Sequence, residues 1–396
     1  MTTKIDVDKL VEELKRKPDT GQGYTTEYDG ERGVIETPRF DTPPDSFDSI
    51  LSEAGFDPEL FEMTGPPVVK TWDAQTPDGV QRLFSYRLAV QQKRDGVFGP
   101  ADIAERAARL RSFTPAPRPT SGRGERVAAV VNMADLQAGK SEGGGLDGLT
   151  QRLIDGLENV QAWLDRCRSS YNVEELILVN NGDPIESCSG NYASQLFTVA
   201  GTHREQYNYV LDAWDMYARN LFPQFEHRQF VSVLSNHGEM GRFGSRKNQT
   251  SDSDSADAFL AETLRRVYDS TDEFADVEWS IPHDEMNVYA ETQQGVKLAF
   301  NHGHKITGSD SSGFEKWLGG QARGDRAAWE ADIWITAHRH HFAAWDLGSC
   351  SVFQCPSMDG GSKWLRDMNG RYSNSGILAL LVGGHSRTKW SDVAFL

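Results

Sequence analysis

The chain has 396 residues, of which 58 are acidic and 41 are Lys or Arg, and its formal net charge at pH 7 is −17. Such an acidic balance opposes general adhesion to nucleic acid, although bound cations and a local basic rim can reverse the sign where a substrate docks. The mean hydropathy of −0.55 and the lack of a long apolar run argue against a membrane span. The first residues lack the apolar core of a signal peptide, and the 4 cysteines include no CxxC pair. We therefore expect a soluble, cytoplasmic protein without a disulfide framework.

The amino-terminal part predicts a small α+β module. Five of its segments show helical spacing or strand-like composition: residues 5–17, 45–51 and 101–110 as helices, and 68–72 and 80–90 as strands. A stretch rich in Pro and Gly follows the last helix and is typical of a linker. We therefore predict an accessory module over residues 1–112, a linker over 113–125 and a catalytic domain over 126–396.

From residue 127 onward, short apolar runs alternate with amphipathic helical segments, which is the order of an α/β fold. Residues able to bind metal follow five of these runs closely: Asp135 and Gln137, Asp183, Asn236, His302, and His338 and His340. Ligands gather at the carboxyl ends of strands in such sheets, so we expect these side chains to converge. Carboxylate and amide oxygens suit hard cations and neutral imidazole suits borderline ones. The pattern predicts a site for two divalent cations.

The motifs that carry these residues, D-x-Q, G-D-x-x-E, N-H, H-G-H and H-R-H in that order, resemble those of the calcineurin-like metallophosphoesterase superfamily. The likeness runs from about Val127 to the carboxyl terminus and leaves the amino-terminal module unexplained. It implies a four-layer αββα sandwich, with two central mixed sheets flanked by helices and a binuclear metal site at one edge.

The resemblance also implies a role for each residue. Asp183 would bridge both cations, while Asp135, Gln137 and His340 complete a first subsite. Asn236, His302 and His338 complete a second subsite, with His304 as the alternative to His302. His237 would be an unliganded imidazole near the leaving group, and Glu186 an acidic residue outside the direct ligand set.

Three positions depart from the family pattern. Gln137 stands where the family has His, Gly238 separates His237 from Glu239, and Ala337 replaces the Gly before the last histidine pair. An amide oxygen is a harder and weaker ligand than imidazole. We therefore expect Mn²⁺ as the preferred cation, with Mg²⁺, Fe²⁺ and Zn²⁺ as alternatives.

The resemblance implies hydrolysis of phosphodiester bonds by metal-activated water, with His237 protonating the leaving oxygen. Basic residues next to the motifs could grip a polyphosphate backbone: Lys140, Arg242, Arg246, Lys247 and Arg339. They favour a nuclease acting on DNA. The form of the first motif, Asp-Leu-Gln-Ala-Gly-Lys, also resembles phage-encoded members near the double-strand-break repair exonuclease branch, which would work in the host cytoplasm.

Three alternatives stay open at this point. A nucleotide phosphodiesterase or a protein phosphatase would use the same metal chemistry in a different pocket. A catalytically retired binding or scaffold protein would keep the fold without the chemistry. The sequence also leaves homo-oligomerisation open.

Overall fold

A computed structural model of the protein describes residues 23–28, 32–44, 46–58, 61–76, 79–92, 124–188, 199–240, 251–272, 274–308, 310–361 and 374–396. Two compact units divide the chain between Val97 and Phe98, and each is described by itself below. The predicted helices at 5–17 and 101–110 lie outside the described residues, as do residues 113–123 of the predicted linker. Within the described segments, no helix has the length and apolar character needed to cross a bilayer.

In its described residues, the first unit is an antiparallel sheet with one short helix. Its elements in chain order are β1 (Thr25–Tyr28), β2 (Arg32–Glu36), α1 (Phe47–Glu53), β3 (Phe61–Met63), β4 (Val68–Thr76) and β5 (Gly79–Gln92). The sheet order is β1-β2-β5-β3, and β4 also pairs with β5. Thr76 pairs with Gly79, so the two segments predicted as strands form a hairpin. The Ser46 side chain caps α1.

The described residues of the second unit form eleven strands, numbered in chain order. They are β6 (Arg126–Met133), β7 (Asn172–Asn180), β8 (His227–Ser232), β9 (Glu278–Ser280), β10 (Val288–Glu291), β11 (Lys297–Asn301), β12 (Ile333–Thr336), β13 (Ala343–Asp346), β14 (Ser351–Gln354), β15 (Leu378–Val382) and β16 (Trp390–Phe395). One sheet has the order β16-β15-β6-β7-β8-β9 and the other the order β10-β11-β12-β14-β13. The run β6 to β9 is parallel, and so are β11, β12 and β14.

Five α-helices accompany these strands in the described part of the second unit. They are α2 (Gly145–Arg168), α3 (His203–Leu221), α4 (Ala256–Tyr268), α5 (Ser311–Gln321) and α6 (Arg326–Glu330). Thr202 and Glu205 form a reciprocal capping box at the start of α3, which satisfies two backbone N–H groups that the helix itself leaves unpaired. Ser255 caps α4.

Alternate residues of the strands face different cores, which establishes the layer order. In β6, Val131 packs in a core shared with α2, α3 and α4, whereas its neighbour Val130 packs between the two sheets. In β12, Ile335 lies in the same intersheet core, while Trp334 packs against α5 and α6 on the outer face. Successive strand residues point to opposite faces, so both sheets are covered on each side. The predicted four-layer αββα sandwich is confirmed.

Candidate metal centre

The candidate site lies where the parallel strands of both sheets end. The segments that follow β6, β7 and β8 carry Asp135, Asp183 and Asn236, and those that follow β11 and β12 carry the histidines. Parallel strands present their carboxyl ends on one edge, so the loops meet there. The six-stranded sheet thus supplies oxygen donors, and the five-stranded sheet supplies imidazoles.

The backbone at these positions is held in a conformation that side chains rarely adopt. Eight non-glycine residues in the described segments have positive φ, and five of them are predicted ligands: Asp135 (50°), Gln137 (43°), Asp183 (51°), His338 (72°) and His340 (56°). Such backbone strain costs on the order of 1–3 kcal/mol per residue and clusters at functional sites. Hydrogen bonds between the loops maintain this backbone conformation. In one of them the backbone N–H of Asp135 donates to the carbonyl oxygen of Gly182 at 2.9 Å.

The second subsite brings four predicted ligands together. Donor atoms of Asp183, His302 and His338 all lie within 4.8 Å of one another. Nε2 of His302 is 3.0 Å from Oδ2 of Asp183 and 3.2 Å from Oδ1 of Asn236. The other ring nitrogen of His302 lies 2.9 Å from the Asn181 carbonyl oxygen, to which it donates. That bond directs Nε2 toward the cluster.

Carboxylates and imidazoles in this cluster shift one another's pKa values. Burial disfavours the imidazolium of His302, but the Asp183 carboxylate outweighs it and raises the pKa of His302 to about 9. Burial and the charge of His302 lower the pKa of His338 to about 4. The low pKa keeps His338 in the neutral form that binds metal, whereas His302 would release its proton when a cation takes its place beside Asp183.

The first subsite is built around Asp135. Its Oδ1 lies 3.3 Å from Nε2 of His340 and 4.0 Å from Nε2 of His302, so it borders both imidazoles. Gln137 is close in sequence, but its Oε1 accepts a hydrogen bond from the Lys140 ammonium at 3.2 Å. Oδ1 of Asp135 is thus the oxygen of the first motif that lies against the histidines at these distances, and metal binding by Gln137 stays a prediction.

The donor set fits divalent cations. Oδ1 of Asp135 and Oδ2 of Asp183 are buried, and they face Nε2 of His340 at 3.3 Å and Nε2 of His302 at 3.0 Å, respectively. Buried carboxylate oxygens need a positive partner, and a mixture of carboxylate, amide and imidazole donors suits Mn²⁺, Fe²⁺ or Zn²⁺. Asp135, Asp183 and His340 would hold one cation, and Asp183, Asn236, His302 and His338 the other.

His237 lies beside the cluster with its backbone and its ring in separate contacts. The backbone N–H donates to Oδ1 of Asp183 at 2.8 Å, which fixes the loop against the predicted bridging carboxylate. Nδ1 of the ring is 3.0 Å from the Glu186 carbonyl oxygen and 3.5 Å from its Oε2. Glu186 is thus placed to orient His237 rather than to bind a cation.

Close packing explains the glycine between His237 and Glu239. A Cβ on Gly238 would lie 2.1 Å from Oδ2 of Asp257. That oxygen is buried and accepts hydrogen bonds from Ser235 (2.6 Å) and Ser255 (2.9 Å). The Asp257 side chain is therefore held in place and cannot move aside without breaking these bonds.

We expect Gly238→Ala to destabilise the protein by about 1–3 kcal/mol, the usual cost of overpacking a buried position. Thermal unfolding measures the effect. The control is Gly319→Ala in α5, where an added Cβ meets no atom within 4 Å. An unchanged Tm for Gly238→Ala would show that the loop around residue 238 accommodates the added methyl group without loss of stability.

The remaining predicted residues fall into three groups. The ring of His304 lies 5.5 Å from that of His302 and 6.2 Å from that of His338, outside the donor cluster. Arg339 donates to Gln354 Oε1 at 3.3 Å and to the carbonyls of residues 306 and 308. Arg242, Arg246 and Lys247 lie outside the described residues.

One residue near the site was misread from the sequence, and another was missed. Lys140 is not part of an exposed basic rim: its side chain is 8% exposed and pairs with Asp359. The rim interpretation of Lys140 is therefore wrong. Asp359, on the loop after β14, was not predicted at all, although the strand-end logic that found the other residues applies to it as well.

No family model matches the sequence, and neither does any curated protein. Among solved structures, the chain is similar to Vacuolar Protein Sorting 29 from Cryptosporidium parvum, at 13% identity and a TM-score of 0.30, over 68% of this chain and 97% of that one. It is also similar to a novel archaeal phosphodiesterase, at 12% identity and a TM-score of 0.30, over 68% and 99%.

A third similar structure is a conserved uncharacterised protein from Streptococcus pneumoniae, described as a predicted phosphoesterase. The identity is 9% and the TM-score 0.26, over 64% of this chain and 82% of that one. Likeness at this level does not fix an activity or a ligand set.

Proposed function

We propose that the protein is a metal-dependent phosphoesterase that hydrolyses phosphodiester bonds, with DNA as the favoured substrate. The observation that supports the proposal is the gathering of two predicted donor sets around His302, whose Nε2 lies 3.0 Å from Oδ2 of Asp183 and 4.0 Å from Oδ1 of Asp135. One set contains Asp135 and His340, and the other contains Asn236, His302 and His338. Both meet at the carboxyl ends of parallel strands, next to an imidazole that belongs to neither set.

When bound, two divalent cations act as Lewis acids toward phosphoryl oxygens and activate water for attack at phosphorus. The protein residues supply the rest. Nδ1 of His237 is engaged by Glu186, so Nε2 is the nitrogen that would deliver a proton to the leaving oxygen. The bond from the His237 backbone to Asp183 fixes the distance between the imidazole and the metal centre.

The preference for DNA rests on charge close to the third motif. Arg242, Arg246 and Lys247 follow Asn236 within eleven positions of the sequence. A group of positive charges of this kind suits a repeating phosphate backbone. Locally it would favour DNA even though the whole chain has a net charge of −17.

A substrate panel tests the proposal. Chelator-stripped protein is given Mn²⁺, Mg²⁺ or Zn²⁺ and assayed on end-labelled single- and double-stranded DNA, on bis(p-nitrophenyl) phosphate as a simple diester, and on p-nitrophenyl phosphate as a monoester. We expect cleavage of DNA and of the diester, with Mn²⁺ restoring the highest rate.

Other results would redirect the assignment. Cleavage of the diester without cleavage of DNA would favour a nucleotide phosphodiesterase, and preference for the monoester would favour a phosphatase. Full activity with Zn²⁺ alone would contradict the preference for Mn²⁺. Absence of both bound metal and cleavage would indicate a binding protein on this fold.

A further inference from the structure

The carboxylate of Asp359 is buried and has a partner for every hydrogen-bonding position. Its Oδ1 accepts from Ser357 Oγ at 2.7 Å and from the backbone N–H of Gly361 at 2.9 Å. Its Oδ2 contacts Nδ1 of His340 at 3.1 Å and is ion-paired with Lys140. Four donors on one carboxylate leave it a single orientation.

This arrangement determines which nitrogen of His340 faces the site. An ionised carboxylate can only accept hydrogen bonds, so Nδ1 of His340 must carry the proton that it shares with Asp359. The lone pair then lies on Nε2, the atom 3.3 Å from Oδ1 of Asp135. A carboxylate behind an imidazole also makes that imidazole a stronger ligand than a backbone carbonyl does.

The Lys140 ammonium compensates the negative charge of the buried Asp359 carboxylate. A buried carboxylate without a positive partner is costly, and the Lys140 ammonium supplies that partner from a side chain only 8% exposed. The same ammonium donates to Oε1 of Gln137. It therefore connects the first motif of the chain to the loop after β14.

We propose that Asp359 is a positioning residue for His340, and that Lys140 holds the Asp359 carboxylate in place, so that this buried pair sets the affinity of the first subsite. The inference rests on the metal centre of the proposed function. It adds two residues that would touch neither a cation nor the substrate.

Mn²⁺ binding to the metal-free protein tests the proposal without reference to turnover. Calorimetric titration gives the number of ions and the Kd of each, and electron paramagnetic resonance distinguishes a coupled Mn²⁺ pair from isolated ions. The variants are Asp359→Asn, Lys140→Met and the two combined. The matched control is Glu175→Gln, which alters a buried carboxylate near the amino end of β7 that accepts from Gln229 at 2.8 Å.

For Asp359→Asn, we expect the ion of the first subsite to bind roughly 10–100-fold less tightly, the usual effect of removing an outer partner of a metal-binding histidine. The other ion should keep its Kd. The coupled-pair signal should disappear at ion concentrations that saturate the wild type.

Lys140→Met should weaken binding of the same ion. The double variant should bind the ion no more weakly than Asp359→Asn does, because both changes disrupt the same hydrogen-bond network. Glu175→Gln should behave as wild type.

Unchanged Kd values for both ions in Asp359→Asn would overturn the proposal. Equal weakening of both ions would also overturn it, since that pattern indicates a general effect on the fold. If Asp359→Asn does not fold, the double variant, which removes both buried charges, is measured in its place by the same criteria. A wild-type protein that binds fewer than two ions overturns the proposal, whereas two bound ions without phosphodiester cleavage would contradict only the proposed function.

Discussion

Replacing Asp183 by Asn is expected to remove the metal centre while leaving the fold intact. Asn has the same shape, and its amide oxygen can still accept the hydrogen bond from the His237 backbone that Oδ1 accepts at 2.8 Å. The charge that both donor sets share is lost, however. Changing an outer partner of a ligand costs roughly 10–100-fold in metal affinity, so the loss of this carboxylate should cost at least the upper end of that range.

Metal content after gel filtration and hydrolysis of bis(p-nitrophenyl) phosphate at saturating Mn²⁺ measure the effect of Asp183→Asn. Glu175→Gln is again the control, because Glu175 lies on β7, the strand that leads to Asp183, but is buried near its opposite end. Two bound ions and wild-type turnover in Asp183→Asn would contradict the metal assignment. That result would favour a protein whose function does not depend on this cluster.

Replacing His237 by Ala is expected to leave both ions bound and to slow DNA cleavage by roughly 10²–10⁴-fold, the usual contribution of a general acid. The effect should depend on the leaving group. An alkoxide leaving from DNA needs a proton, whereas p-nitrophenolate is stable without one. The loss should therefore be much smaller on bis(p-nitrophenyl) phosphate than on DNA.

Rates on the two substrates, with metal content determined in the same samples, check the role of His237. His283→Ala is the matched control, since that side chain is 80% exposed. Lost metal in His237→Ala would make His237 a ligand. An equal loss of rate on both substrates would remove it as the proton donor.

The parts of the fold that could be predicted are those with a strong local signal. Buried parallel strands such as β6 and β7 read as continuous apolar runs, and the amphipathic pattern of α2 and α3 is long enough to be unambiguous. The polar residues after such strands identify a site, because strand direction alone brings them to one edge. For this reason Asp135, Asp183, Asn236, His302, His338 and His340 could be selected together.

The parts that could not be predicted depend on contacts between distant segments. The short strands β1 and β3 have few residues and owe their existence to pairing with β2 and β5, respectively, which local sequence does not reveal. The role of Lys140 depends on Asp359, 219 positions later in the chain. Exposure is likewise a tertiary property, which is why Lys140 resembled a surface residue in the sequence.

Backbone strain and close packing were also beyond local prediction. The positive φ of Asp135 and Asp183 is imposed by hydrogen bonds between two loops, and neither residue type requires that conformation. Similarly, the glycine at 238 reflects the position of Asp257 and not any property of the motif around it.

The two sheets supply different donors, so the distance between the sheets affects the geometry of the site. Oxygens come from loops of one sheet and imidazoles from loops of the other, so the distance between donors is set by how closely the sheets pack. Val231 of β8 and Phe300 of β11 fill the layer between the sheets. Apolar side chains in this layer would thus act as spacers that tune cation affinity and selectivity without contacting a cation. A bound cation would in turn hold the two sheets together and stabilise the fold by an amount that grows with the logarithm of its affinity.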